Sequence, residues 1–308
     1  MFASLRKGSY PNTGETSVDD RSSEIARGAA LLRALAALDE REEIRGGDYL
    51  AEIFLNENRQ GSLKEPAIRD WLVRNYLPYG VYAYAIARTA YFDHIMEQAL
   101  RDNIPQIVIL AAGYDSRPYR FRELIGKTRI FELDDEATQK RKRELLKQAN
   151  IPIPEQVTYV PVADDNETLE NILPGAGFDG KKLTLFIFEG ISYYLQPSEV
   201  DEIFNFIKTH SPAGSSVCFD YGCISPGGPA TGEADDLPQI MAPAGSAETT
   251  LFGIEEGKSG IFLAKRELMT LEHLTAEELE KRFLTLRDGS LAGRVPARFC
   301  VVYASLSG

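Results

Sequence analysis

Two carboxylates that directly follow apolar runs are the side chains in this sequence best placed to bind a ligand. Asp134 ends the run Arg129-Ile-Phe-Glu-Leu, and Glu189 follows the run Phe186-Ile-Phe. Burying a carboxylate without a partner is costly, so an acid in such a position usually serves a ligand or a paired charge. At the end of a parallel strand it can accept hydrogen bonds from a ribose diol. The pattern indicates a nucleoside site, with a solvated acid at a strand end as the alternative reading.

A third apolar run ends in a loop with a single glycine. The run IVILA ends at Ala111, Gly113 follows two residues later, and Asp134 lies about twenty residues further on. A dinucleotide loop uses the pattern G-x-G-x-x-G, which lets a pyrophosphate approach the backbone and a helix N-terminus. Ala111 stands where the first of these glycines would be. The loop therefore argues against a nicotinamide cofactor and favours a ligand without phosphates.

Two further acids are candidates for the same site. Glu132 competes with Asp134 for the ribose, because residues two apart on a regular strand share a face. Asp164 follows the run Val157-Thr-Tyr-Val-Pro-Val162 at a position where an adenine amino group would lie.

These residues need an open sheet to bring them together, and the rest of the pattern predicts one. Short β-branched runs alternate with charged amphipathic segments, which is typical of βαβ units. The predicted strands are 107–111, 129–133, 157–162, 183–188, 216–220, 267–272 and 299–304. The predicted helices among them are 117–125, 136–149, 166–172, 197–210 and 275–286. We expect an α/β fold with a doubly wound, seven-stranded, mostly parallel, Rossmann-like sheet that ends in an antiparallel hairpin.

The sequence also suggests a division of the chain. Residues 1–21 are rich in Ser, Thr, Gly and Asp and are predicted to be a flexible tail. Residues 22–100 contain only helical patterns, over 22–38, 49–55, 66–76 and 79–100, and are predicted to form a helical cap. Residues 101–308 would form the ligand-binding α/β domain. Within it, the Gly- and Pro-rich stretch 223–260 is predicted to be a lid.

Composition excludes several classes of partner. Lys and Arg total 34 against 46 for Asp and Glu, a net charge of -12, which argues against nucleic acid and anionic membranes. The three cysteines form no framework, and neither a signal peptide nor an apolar run of membrane-spanning length is visible, so we expect a cytoplasmic protein. His94 and Glu97 are three apart on a predicted helix but lack a third ligand nearby, so no metal site is predicted.

Four segments together resemble a known family. The runs QIVILAAGYDSRPYRF, FELDDEATQKRKRELL, VTYVPVADDNETL and FEGISYYLQPSEV, preceded by RTAYFDHIMEQAL, are similar to the ordered motifs of the leucine carboxyl methyltransferase family. Its bacterial relatives include polyketide O-methyltransferases. The resemblance implies a class I fold that binds S-adenosylmethionine.

The resemblance also implies roles for individual residues. Arg88 would pair with the methionine carboxylate, Gly113 would line the methionine moiety, Asp134 would bind the ribose and Glu189 the methionyl amino group. The sequence departs from the family pattern at Ala111, where a glycine is usual. It departs again at Ala163, where relatives carry Asp or Asn. Asp164, one position later, would be a displaced substitute for that residue.

We therefore expect an S-adenosylmethionine-dependent O-methyltransferase of secondary metabolism, acting on a carboxylate or hydroxyl of a small-molecule or carrier-bound acceptor. The acceptor pocket would lie between the cap and the lid. Tyr194 and His94 are the candidate catalytic residues, with core packing and a solvated helix face as their respective alternatives. A nicotinamide-dependent oxidoreductase and a non-catalytic nucleoside-binding protein are the alternative functions.

Overall fold

The computed structural model describes residues 18–162, 167–225 and 252–308, with side chains from residue 25 onwards. The strands are β1 (Gln106–Ile109), β2 (Arg129–Asp134), β3 (Val157–Pro161), β4 (Thr184–Phe188), β5 (Ser216–Ile224), β6 (Ile254–Glu255), β7 (Leu268–Leu274) and β8 (Phe299–Leu306). The helices before β1 are α1 (Val18–Ala37), α2 (Glu57–Leu63), α3 (Pro66–Trp71) and α4 (Val81–Arg101). The later helices are α5 (Arg117–Arg120), α6 (Arg122–Ile125), α7 (Glu136–Gln148), α8 (Leu169–Gly175), α9 (Pro197–Thr209), α10 (Ser259–Ala264) and α11 (Ala276–Phe283).

The sheet has the order β3-β2-β1-β4-β5-β8-β7, with the short β6 paired to β5. Strands β1 to β5 are parallel to one another, and β8 is antiparallel to both β5 and β7. The chain first builds outward from β1 to β3 and then returns to place β4 on the other side of β1. The strand order therefore reverses between β1 and β4, which is where an open sheet of this kind binds its ligand.

The central strands are apolar on both faces because helices cover both sides of the sheet. In β1, Val108 packs into one core with Phe131, and its neighbours Ile107 and Ile109 pack into the other with Ile130. All of these side chains are at most 2 % exposed. The two cores fix the register of β1 against β2, since a shift of one residue would exchange the faces.

The first part of the described chain is helical, as predicted, and contains no strand from residue 18 to residue 100. Helix α4 is its longest element and packs against both α1 and α11. Two predicted helices differ in form: the turn at Ala51–Phe54 is a 3₁₀ helix, and α3 continues into a π-helical turn over Leu72–Tyr76. The division into tail, cap and α/β domain stays a prediction.

The prediction of the Rossmann-like sheet is confirmed, with some local differences. Strand β5 continues to Ile224, four residues beyond its predicted end, because it keeps pairing with β8 as far as Gly222. The predicted helix 117–125 is two short helices, since Phe121 leaves the helical conformation between them. The predicted terminal hairpin is present as β7 and β8.

The predicted lid begins and ends at neighbouring points of the sheet. Cys223 and Ile224 pair with Ile254 and Glu255. Residues 226–251, most of the predicted lid, lie outside the described residues. Within the described ranges, no helix is long and apolar enough to cross a membrane.

Candidate active site

A small cavity of about 110 Å³ lies beyond the carboxyl ends of β1, β2 and β4, at the reversal of the strand order. Its lining includes residues 109–115 after β1, Asp134 at the end of β2, residues 189–191 after β4, Tyr194, and Arg88 from α4. Residues of α1, among them Ile25, Ala26 and Ala29, line it as well. The fold thus brings Arg88, Ala111, Gly113, Asp134 and Glu189 together in one cavity.

The loop after β1 is held in a conformation that favours glycine. Ala111 has φ of 48° and Gly113 has φ of 45°. A Cβ atom at Gly113 would lie 3.2 Å from the Cβ of Ala26, so a glycine is needed both for the backbone angle and for the approach of α1. The backbone N–H of Gly113 donates to the carboxylate of Asp134, which ties this loop to the end of β2.

Replacing Ala111 by Gly is expected to stabilise the protein. A non-glycine residue in the left-handed region destabilises the folded state by about 1–2 kcal/mol. Glycine also gives the unfolded chain more freedom, which offsets about 0.4–1 kcal/mol of the stabilisation gained by removing that strain. The net increase in the free energy of unfolding should be about 0.5–1 kcal/mol, measured by urea denaturation. Ala112→Gly is the matched control, because Ala112 has no positive φ and its substitution should destabilise. Equal effects of the two substitutions would contradict strain at Ala111.

Arg88 and Glu189 form the charged part of the cavity. Arg88 Nε lies 3.0 Å from Glu189 Oε1, and Arg117 Nη2 lies 2.7 Å from Glu189 Oε2. Arg117 is in turn fixed by Asp115 at 2.8 Å. A guanidinium and a carboxylate that face one cavity are the groups that a zwitterionic amino acid requires.

Two of the cavity carboxylates, Glu189 and Asp134, differ in their protonation. Burial raises the pKa of Glu189, but the guanidinium groups of Arg117 and Arg88 outweigh it and hold that pKa below its usual value. Among the described residues, no cation pairs with Asp134. Burial, followed by the charge of the adjacent Asp135, raises the pKa of Asp134 to about 8. Glu189 is therefore ionised at neutral pH, and Asp134 titrates at about pH 8.

A further acid, Asp220, supports the cavity and was not predicted. It lies in β5 with no exposed surface. It pairs with Arg88 Nη1 at 3.2 Å and accepts a hydrogen bond from the backbone N–H of Gly190 at 2.7 Å. The sequence does carry a signal for it, because Asp220 follows the apolar run Val217-Cys-Phe in the same way that Asp134 and Glu189 follow theirs.

Helix α1 is anchored beside the cavity by a second set of charges. Arg33 donates to the backbone carbonyl of Tyr114 at 2.7 Å and pairs with Asp48 at 2.8 Å. Asp48 also accepts from Ser116 at 2.6 Å. These contacts join α1, the segment after it and the loop that follows β1. None was predicted, because the partners are 15 to 81 residues apart in sequence.

Among the other predicted site residues that the structure describes, Tyr194 alone lines the cavity. Glu132 is 1 % exposed, pairs with Lys142 at 2.9 Å and accepts from Tyr119, so its carboxylate is turned away from the cavity. His94 is exposed on α4 and does not line the cavity. Asp164 lies outside the described residues.

Comparison with known proteins identifies the family. The model of the leucine carboxyl methyltransferase family matches residues 26–208, more than half of the chain. The chain belongs to the leucine carboxyl methyltransferase family. The matched region includes α4, β1, β2 and β4, which are the elements that build the cavity.

Relatives in the family have the same cofactor in their names. YktD of Bacillus subtilis (strain 168), named as an S-adenosyl-L-methionine-dependent methyltransferase, is 29% identical over 209 residues, covering 67% of this chain and 68% of YktD. A protein of Mycobacterium avium (strain 104) with the same assignment is 36% identical over 137 residues, 44% of this chain and 43% of its own. This leucine carboxyl methyltransferase family member is an S-adenosylmethionine-dependent methyltransferase.

Solved structures with a similar fold are more distant. Geranyl diphosphate C-methyltransferase from Streptomyces coelicolor A3(2) is 12% identical to this chain. The match covers 73% of this chain and 78% of that enzyme, with a TM-score of 0.46. Magnesium protoporphyrin IX methyltransferase from Synechocystis PCC 6803, with bound S-adenosylhomocysteine, is 11% identical to this chain. The match covers 78% of this chain and 98% of that enzyme, with a TM-score of 0.45. Nothing about the acceptor of this family member follows from similarity of this degree.

The residues of the cavity fit the cofactor. S-adenosylmethionine joins an amino-acid zwitterion to a nucleoside through a positively charged sulfur, so it requires a cation, carboxylates and no phosphate-binding loop. Arg88, Glu189 and Asp134 supply the charged groups. Gly190 permits their approach, because a Cβ atom there would lie 3.0 Å from Arg88 Nη1.

Proposed function

We propose that this protein is an O-methyltransferase whose acceptor is a carboxylate, or else a hydroxyl, of a small-molecule or carrier-bound metabolite. One observation carries the preference for a carboxylate: among the described residues that line the cavity there is no histidine and no lysine. Of the three acids there, Glu189 and Asp115 are held in ion pairs with Arg117, and Asp134, which accepts from the backbone N–H groups of Gly113 and Asp135, would be engaged by the ribose. An ionised carboxylate needs no general base, whereas a hydroxyl must lose a proton during the transfer.

The residues of the chain would share the work of binding. When bound, S-adenosylmethionine supplies a methyl group on a positively charged sulfur. Arg88 would hold its carboxylate, Glu189 its amino group and Asp134 its ribose, while the backbone at Gly113 would lie along the methionine moiety. The protein contributes alignment and the exclusion of water, since an in-line displacement depends mainly on the positions of the reacting atoms. Tyr194, which lines the cavity, remains the candidate catalytic residue.

A larger cavity supports an acceptor with an apolar body. This groove of about 820 Å³ lies among the C-terminal end of α1, α3, the N-terminal end of α4 and residues 284–294. Its volume is in the range of small-molecule sites. Leu35, Leu77 and Ile86 are among its apolar lining residues. Its charged lining residues are four arginines and three acids, and each arginine is paired with a carboxylate: Arg41 with Asp39, Arg69 with Glu40, Arg74 with Asp70, and Arg294 with Glu280.

The groove and the cofactor cavity are neighbours. Leu32 lines the cofactor cavity, Leu77 lines the groove, and both pack in one small cluster with Val81 and Ala85. One cluster of side chains therefore borders both spaces. This arrangement favours the groove as the place where the body of the acceptor binds.

Filling the groove should impair turnover of the acceptor without changing the binding of the cofactor. Ala67 is exposed and lines the groove, so Ala67→Trp should fold and occupy part of it. The value of kcat/KM for the acceptor should fall by about tenfold or more, as expected when a side chain blocks a binding pocket, with the Kd of S-adenosylhomocysteine unchanged. Ile68→Trp is the matched control, because Ile68 is exposed on the same helix and does not line the groove. If the two variants behave alike, the acceptor does not use the groove.

The chemistry of transfer can be tested without knowing the acceptor. The protein is incubated with S-adenosylmethionine labelled in the methyl group and with pools of metabolites, and the labelled products are treated with mild base. A methyl ester releases labelled methanol under these conditions and a methyl ether does not. Release supports a carboxylate acceptor, and retention on oxygen supports a hydroxyl. Label on nitrogen or carbon, or no transfer despite cofactor binding, would contradict an O-methyltransferase.

A further inference from the structure

Asp220 is the centre of a buried polar cluster behind the cofactor cavity. Its Oδ1 accepts from the backbone N–H of Gly190 at 2.7 Å. Its Oδ2 accepts from Arg88 Nη1 at 3.2 Å, from the Tyr84 hydroxyl at 2.8 Å and from the Tyr193 hydroxyl at 2.6 Å. Both oxygens of the carboxylate are therefore hydrogen-bonded, and the side chain has no exposed surface.

This cluster connects the sheet to the two groups expected to hold the amino-acid end of the cofactor. Strand β5 is fixed between β4 and β8, so Asp220 stands at a rigid position. Tyr84 lies one helical turn before Arg88 on α4, and the two bonds to Asp220 set the rotation of that helix. The bond to Gly190 fixes the backbone directly after Glu189. Asp220 does not itself line the cavity.

We propose that Asp220 is a positioning residue for the amino-acid end of the cofactor. It holds the guanidinium of Arg88 and the turn at Gly190 in the places where they receive the carboxylate and amino groups, and it acts only through them. This inference rests on the proposed binding roles of Arg88 and Glu189.

The geometry predicts that an amide cannot replace this carboxylate. Asn has one acceptor oxygen and one donor NH₂ group of the same size as the carboxylate oxygens. In Asp220→Asn, the NH₂ group would face either the N–H of Gly190 or the guanidinium of Arg88. Two donors would then meet in a buried site, and Arg88 would lose the charge-assisted bond that orients it.

Two ligands distinguish positioning from general structural damage. S-adenosylhomocysteine carries the amino-acid end, and 5′-methylthioadenosine has the same nucleoside without it. In Asp220→Asn, calorimetry should show the Kd of S-adenosylhomocysteine rising by about 10- to 100-fold, the scale of a lost charge-assisted bond. The Kd of 5′-methylthioadenosine should change by less than about threefold. Equal weakening of both ligands, or no weakening of either, would overturn the proposal.

Three other variants complete the experiment. Tyr193→Phe and Tyr84→Phe each remove one donor but keep the ion pair, so each should weaken S-adenosylhomocysteine by about threefold and leave 5′-methylthioadenosine unchanged. They carry the test if Asp220→Asn does not fold, and unchanged binding of S-adenosylhomocysteine in both would contradict the proposal. Ser192→Ala is the control, because Ser192 donates to the backbone carbonyl of Asp220 and not to its carboxylate. If the wild-type protein binds neither ligand, the assignment of the cofactor site fails, which is a separate result.

Discussion

Replacing Arg88 by Ala should weaken binding of S-adenosylhomocysteine by about 30- to 1000-fold, the effect of about 2–4 kcal/mol expected for the loss of a buried charge partner. In the structure Arg88 is 4 % exposed and is shared between Glu189 and Asp220. Among the described residues its Nε and Nη1 have these carboxylate partners, and no acceptor is found for Nη2. We infer that Nη2 receives the carboxylate of the ligand. Calorimetric titration measures the change in Kd.

The same substitution should also destabilise the ligand-free protein. Removing the guanidinium leaves the carboxylate of Asp220 buried without a cation, and the expected loss in the free energy of unfolding is about 3–5 kcal/mol. Binding must therefore be measured below the melting temperature of the variant. Arg88→Lys keeps the charge but not the planar fork, so it should fold more readily and bind about tenfold more weakly than wild type. Arg101→Ala is the control on the same helix, since Arg101 forms only an exposed pair with Glu97. Wild-type affinity in Arg88→Lys and Arg88→Ala would remove Arg88 from the site.

The contributions of Asp134 and Glu189 to the cavity could be predicted from sequence because one physical rule governs both. Parallel strands end at the same edge of a sheet, so acids that follow buried runs must converge there once the strand order is known. The same rule applies to Asp220. Its role remained hidden because it depends on partners from α4 and from the turn after β4, which no local pattern connects to β5.

Two other predicted residues show where local patterns are insufficient. Alternation places Glu132 and Asp134 on one face of β2, but only Asp134, at the end of the strand, reaches the cavity. Glu132 lies one step further inside, where Lys142 from α7 covers it. His94 is the histidine nearest the cofactor motifs in sequence. The helical period of α4 already places His94 on the face away from the core, because Tyr91 and Ile95 are buried while His94 faces solvent.

The titration of Asp134 should make nucleoside binding depend on pH. Burial and the charge of Asp135 raise the pKa of Asp134 to about 8 in the ligand-free protein. The ionised carboxylate accepts from both hydroxyls of a ribose diol, so binding favours loss of the proton and lowers this pKa. Affinity should be constant above pH 8 and should fall by up to tenfold per unit as the pH drops below 8, until the pKa of the bound form is reached. The ligand for this measurement is 5′-methylthioadenosine, because the α-amino group of S-adenosylmethionine itself titrates near pH 8.

Stability without ligand should change in the opposite direction. The folded pKa of Asp134 lies above its unfolded value of 3.8, so the stability gained from the protonated form is complete below pH 3.8 and is lost as the pH rises through 8. Raising the pH should therefore strengthen nucleoside binding while it weakens the ligand-free protein.

Two substitutions assign this behaviour to Asp134. Asp135→Asn removes the neighbouring charge but keeps an acceptor for the N–H of Thr138 at the start of α7, so the helix should persist while the midpoint of the affinity curve moves to lower pH. Asp134→Asn should bind more weakly and show no such midpoint. If the curve of Asp134→Asn has the slope and midpoint of the wild type, another group titrates. If the curve of Asp135→Asn is unmoved, the charge of Asp135 does not contribute to the raised pKa, and burial alone must account for it.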